Sequence, residues 1–147
     1  MNPTLFSLVP ILAFCVHLGA STAFVLNRMV SGRQLAGLGF LLLLVSALLN
    51  WSLVHRLPVY SLYESCMHTA LTLSACLVLL GNRKGDRNVQ LLGSLALVLL
   101  TGLALPVLGN FNPDFYMYQV WPVQLFFALR LTAGGILLFS CLLFSSA

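Results

Sequence analysis

Arg56-Leu57-Pro58-Val59-Tyr60-Ser61-Leu62-Tyr63-Glu64-Ser65-Cys66-Met67-His68 is a polar and aromatic stretch set between two apolar runs. It holds one of the chain's three acids and one of its three histidines, so it concentrates what little acid–base chemistry the sequence has. Pro58 lacks an N–H and fixes its own φ, so the preceding run is expected to end there and a new helix to begin. Beyond it Tyr60, Glu64, His68, Thr72 and Cys76 recur at every fourth position and form a stripe along one side of that helix. An acid and an imidazole one turn apart in a helix otherwise suited to lipid require a partner, a cavity or a substrate path.

The surroundings of this stretch decide the fold class. Of 147 residues, 60% are hydrophobic and 7% charged, which lies far from the composition of soluble domains. In lipid every backbone polar group must be paired internally, so long apolar runs without strand alternation mean helices. A bilayer core of about 30 Å takes roughly 20 helical residues. The expected fold is all-α: a single membrane domain, an integral bundle of about five transmembrane helices near residues 4–26, 35–54, 58–80, 89–105 and 120–144.

The basic residues set an expected orientation. Arg28, Arg33, Arg83, Lys84 and Arg87 fall in the first and third connections, against Arg56 on the other side, which places the N-terminus outside and the C-terminus in the cytoplasm. The first run reads as a retained helix rather than a signal peptide, because no Lys or Arg precedes it and no A-x-A site follows. The net charge of +4 is then a topology signal, and no nucleic-acid partner is expected. Cys15, Cys66, Cys76 and Cys141 show no C-x-x-C spacing and read as packing residues. Trp51, Trp121, Tyr60, Tyr63, Tyr116 and Tyr118 all fall toward the outer interface. An ordinary aromatic belt occupies both interfaces, so the outer surface either holds a flat ligand or a partner, or carries an asymmetric belt.

Among the ionisable residues expected inside the bilayer, Glu64, His68 and Arg130 stand out. Counted from Pro58 and Val120, Glu64 lies about 9 Å along its helix, and His68 and Arg130 about 15 Å. Arg130 is therefore expected to pair with Glu64, directly or through water, with His68 facing the same interior. The alternative is a buried pair that only fixes helix packing. His17 and His68, on different helices, are the candidate pair of haem-iron ligands, the alternative for His17 being a histidine hydrogen-bonded to another helix. His55 stands at the outer rim with Tyr63 among the nearby tyrosines, where it is either a plain exposed interfacial histidine or one that ligands a surface haem or meets its propionates. The same acid and imidazole could instead exchange protons with a quinol headgroup. Ser46 and Asn50, one turn apart, are expected to hydrogen-bond across helices, and Gly37, Gly39, Gly134 and Gly135 to allow close helix contact. The absence of an inverted repeat argues against a small transporter.

Trp51, His55, Pro58 and Leu62-Tyr63-Glu64-Ser65 resemble the P-x-x-x-L-Y-E-S signature of the membrane haem-handling proteins of cytochrome c assembly, the system II (CcsA-type) family. Leu105-Pro106-Val107-Leu108, followed by an aromatic segment, resembles that family's later L-P-x-L loop. Two departures bear on what the resemblance implies. Gln119 stands where the family has a histidine thought to ligate haem, and the tryptophan-rich WWD segment does not occur in these residues. The resemblance implies a protein of the bacterial inner membrane. It would be a non-catalytic subunit bracing a larger electron-transfer complex, with other membrane subunits or a haem-bearing cytochrome as partners and haem or quinol bound near the periplasmic face. The alternative it implies is an active part of a split cytochrome c biogenesis machine that delivers haem, its WWD segment on another chain.

Overall fold

In a computed structural model of the protein, which describes residues 3–54, 59, 61–80, 87–108 and 120–145, the described residues are helical apart from turns, and no strand occurs among them. The helices are α1 (Pro3–Val25), α2 (Met29–Val54), α3 (Leu62–Leu79), α4 (Arg87–Ala104) and α5 (Trp121–Ser145), with a 3-10 turn at Leu105–Val107 after α4. Five of these stretches are long and apolar enough to cross a membrane. The all-α, integral membrane reading stands.

Two boundaries differ from the sequence expectation, each for a local reason. Helix α2 begins at Met29 rather than residue 35, because the chain reverses within a few residues around Asn27, whose φ is 61°. Arg28 N–H donates to Ala23 O at 2.8 Å and Asn27 N–H to Phe24 O at 3.1 Å. This is the Schellman pattern, and asparagine is one of the few L-residues that accepts its left-handed position. Arg87, at the start of α4, donates Nε to Phe24 O at 3.1 Å, which also accepts from Asn27, and an Nη to Val25 O at 3.0 Å, so a guanidinium ties α4 to the carbonyl end of α1.

Helix α3 begins at Leu62, not at Pro58, which lies outside the described residues. Ser61 is its N-cap, in an extended conformation (φ −85°, ψ 161°). Glu64 N–H donates to Ser61 Oγ at 3.1 Å, and Ser61 N–H donates to Glu64 Oε2 at 2.9 Å. The reciprocal pair is a capping box, which satisfies two otherwise orphaned donors and stops the helix from extending back toward the proline.

Helices α1, α2, α3 and α4 close a ring in that order, with α1 also against α4, while α5 lies outside it against α3 and, more lightly, α4. The pairings run in opposite senses between ring neighbours: Phe24 meets Gly32 and His17 meets Gly39 between α1 and α2, and Gln90 Nε2 donates to Leu77 O at 3.3 Å between α4 and α3. The ring is an up-and-down four-helix bundle. Leu43, Tyr63, Met67, Leu73 and Leu97 fill its centre.

Small residues set two of the contacts. A Cβ on Gly39 would stand 2.8 Å from each ring nitrogen of His17, and one on Gly135 would stand 2.8 Å from Thr72 Cβ, so α2 and α5 approach their neighbours as closely as glycine permits. Gly37 and Gly134, expected to act the same way, have no such neighbour. The end of α2, the start of α3, the end of α4 and the start of α5 come together at one end of the bundle, where Trp51 and Trp121 are exposed.

Candidate functional site

At that end a polar seam runs from α2 through α3 to α5. Ser46, Ala47 and Asn50 of α2 and Tyr63, Glu64, Met67 and His68 of α3 line a cavity of about 10 Å³. The side chains arrive there for simple reasons. Ser46 and Asn50 are one turn apart on α2, and Glu64 and His68 are one turn apart on α3, so each pair shares a face. Tyr63 is held from the other side by Ser46, with 3.4 Å between Oγ and the phenol oxygen. Ser46 thus makes the cross-helix contact expected of it. Asn50 is buried in the lining, and its Oδ1 has no hydrogen-bond partner among the described residues.

Glu64 is 1% exposed and sits in the first turn of α3. Counted from Leu62 it lies only about 3 Å along the helix, so it is at the rim of the span rather than 9 Å inside it. Its carboxylate faces back on the N-terminus of its own helix, where the orphan N–H groups and the positive end of the helix dipole favour negative charge.

His68 is half-buried between α3 and α5, with Nε2 3.1 Å from Thr132 Oγ1. The Thr132 hydroxyl has one proton, and it goes to Ala128 O at 2.8 Å. Nε2 of His68 therefore donates to Thr132, which leaves Nδ1 as the acceptor nitrogen of the neutral ring.

Arg130 is not brought to this seam. It is exposed on α5, and among the described residues no ion pair joins it to Glu64, so the expected pairing is corrected. The physical reason is the helix period. Thr132 faces α3, and Arg130, two residues earlier, is about 200° away around the helix. Helices α3 and α5 are neighbours as expected, but the wrong face of α5 carries the arginine.

His17 lies elsewhere. It is 0% exposed, between α1 and α2, and neither ring nitrogen has a hydrogen-bond partner among the described residues. Its ring lies against Gly39, whereas His68 faces Thr132, so the two histidines turn to different helices. The Gly39 backbone closes on the His17 ring, and Nε2 of His68 is engaged by Thr132 on another helix, so these ring faces do not open on one shared space. His55 lies outside the described residues, as do Arg56, Tyr60, Tyr116, Tyr118 and Gln119.

Two residues of the seam went unread in the sequence. Ser61 had a signal, the S-x-x-E pattern of Ser61 and Glu64 directly before an apolar run. Thr132 had none, because its contact with His68 depends on how α5 docks. Chemically, the seam gathers a carboxylate, an imidazole, a phenol and an amide around a space at the lower limit of what holds one water molecule. No family model, curated protein or solved structure matches the chain.

Proposed function

We propose that this chain is a non-catalytic integral membrane subunit that braces a larger electron-transfer complex of the bacterial inner membrane, oriented with its N-terminus outside. The observation that carries this reading is uneven burial. Only 11% of the α5 span is buried within the chain, against 28–44% for the other four. A fifth helix that contributes so little to its own bundle, while carrying an exposed arginine, fits a surface that serves other subunits. The seam of Ser46, Tyr63, Glu64 and His68 then holds α3 in register between α2 and α5, as buried polar contacts between membrane helices commonly do.

A quinol is the ligand class that this reading allows at the seam. Its headgroup would meet Glu64 and His68 as proton-exchanging groups, provided the cavity widens well beyond its present 10 Å³.

The test is gentle solubilisation from native membranes, followed by an absorption spectrum, pyridine haemochrome analysis, quinone extraction and mass identification of co-purifying chains. The expected result is a colourless protein associated with other membrane subunits, whose complex breaks up when this chain is deleted. A stoichiometric non-covalent haem belonging to the chain would replace the reading with that of an active haem-delivery component. A chain that purifies alone, and whose deletion leaves every membrane complex intact, would overturn it.

A further inference from the structure

The exposed face of α5 is not uniformly apolar. Phe126, Arg130, Ala133 and Leu137 follow at spacings of four, three and four, so they form one stripe, and all four are exposed. Arg130 has no ion-pair partner among the described residues. It is well inside the span. Trp121 is about 14 Å away along the helix and Ser145 about 22 Å, in a helix about 37 Å long. Centred on a hydrocarbon core of about 30 Å, the helix holds the Arg130 backbone about 10 Å inside the nearer edge. That distance exceeds the reach of an extended arginine side chain, so snorkelling alone does not bring the guanidinium to the headgroups. A guanidinium at that depth is always charged and is best matched by a planar, bidentate carboxylate.

Among the described residues a second copy of this chain offers no such group. The chain has three acids. Asp86 and Asp114 lie outside the described residues, and Glu64, the one acid among them, is 1% exposed and bonded to the α3 cap. From this stripe and this inventory we infer that the Arg130 face of α5 is a docking surface for a transmembrane helix from outside these 147 residues, bearing an aspartate or glutamate at the depth of Arg130. The inference rests on the subunit reading and gives it a face and a partner chemistry. The small side chain of Ala133, one turn from Arg130, lets the incoming helix approach, and Phe126 and Leu137 flank the charge pair and keep lipid from it.

The experiment is site-specific photo-crosslinking in native membranes. A photoreactive residue replaces Phe126 or Ala133 in the full-length chain, and the crosslinked peptide is identified by mass spectrometry. The expected adduct is a transmembrane peptide containing Asp or Glu. Its yield should fall at least tenfold in Arg130→Leu, fall less in Arg130→Lys, which keeps the charge but not the bidentate fork, and return when Arg130→Asp is combined with an Arg at the partner's acidic position. Adducts to lipid only, to a second copy, or to a helix without an acid would each overturn the inference, as would an unchanged yield in Arg130→Leu. Should Arg130→Leu fail to accumulate, the identity of the peptide crosslinked to the wild-type face still decides the question. Co-purification from the same membranes separates the two levels. Other subunits that co-purify while the crosslinks reach only lipid refute the docking face and leave the subunit reading standing, whereas a chain that purifies alone refutes both.

Discussion

Replacing Ser61 and Glu64 singly and together tests whether Glu64 acts through its own helix terminus or through Arg130. Ser61→Ala removes the acceptor for Glu64 N–H, 3.1 Å away, and Glu64→Ala removes the acceptor for Ser61 N–H, 2.9 Å away. Loss of an N-cap side chain costs about 1 kcal/mol, within a range of roughly 0.5–2. Breaking a buried ion pair by removing one partner costs about 3–5 kcal/mol. The two accounts also differ in coupling. Because the two bonds are reciprocal halves of one motif, the Ser61/Glu64 double-mutant cycle should show a coupling of about 1 kcal/mol, whereas sites that share no contact, such as Glu64 and Arg130, should be additive to within about 0.5 kcal/mol. The assay is reversible unfolding in mixed detergent micelles, followed by far-ultraviolet circular dichroism. A Glu64/Arg130 coupling of about 2 kcal/mol or more, or no coupling between Ser61 and Glu64, would refute the capping argument and restore the ion pair.

Gly39→Ala should destabilise the protein by about 1–3 kcal/mol, since its Cβ would stand 2.8 Å from the His17 ring nitrogens, while Gly37→Ala should be nearly neutral; unfolding midpoints of the two variants check this. Gly135→Ala should loosen α5 from α3 at Thr72, where Gly134→Ala should not, and the proteolysis rate of α5 in detergent measures the difference. Thr132→Val should cost about 0.5–1.5 kcal/mol and change the tautomer balance of His68, read from its ring nitrogen chemical shifts; unaltered shifts would remove the assigned bond. Asn27→Val should cost about 1–2 kcal/mol and Asn27→Gly should not, because only the former opposes a left-handed backbone; thermal unfolding of both variants is the check.

The all-helical membrane class was legible because it depends on summed properties: 60% hydrophobic residues, 7% charge and apolar runs of spanning length constrain the backbone whatever the helices touch. The Ser46 contact was legible for a similar reason, since a polar side chain on a membrane helix needs a neighbour and Tyr63 supplies one. The start of α3 is legible in principle: Pro58 suggests an earlier start, but the Ser61–Glu64 capping box is the more specific signal and marks the observed one. Once the helix begins at Leu62, the acid moves to its rim and its most immediate donor is its own N-cap.

The remaining differences lie in the packing. Sequence spacing states which residues share a face of one helix, but not which way that face turns. Arg130 and Thr132 lie about 200° apart on α5, so one of them must face away from α3, and the docking at Gly135 against Thr72 selects Thr132. The same holds for the histidines: both lie on apolar helices, and only the closure of the ring turns His17 to Gly39 and His68 to Thr132. Local rules of capping, hydropathy and period thus determine where the helices are and what each face carries. The choice of which faces meet is made jointly by close-packed contacts between residues distant in the chain, and the tertiary structure alone decided it.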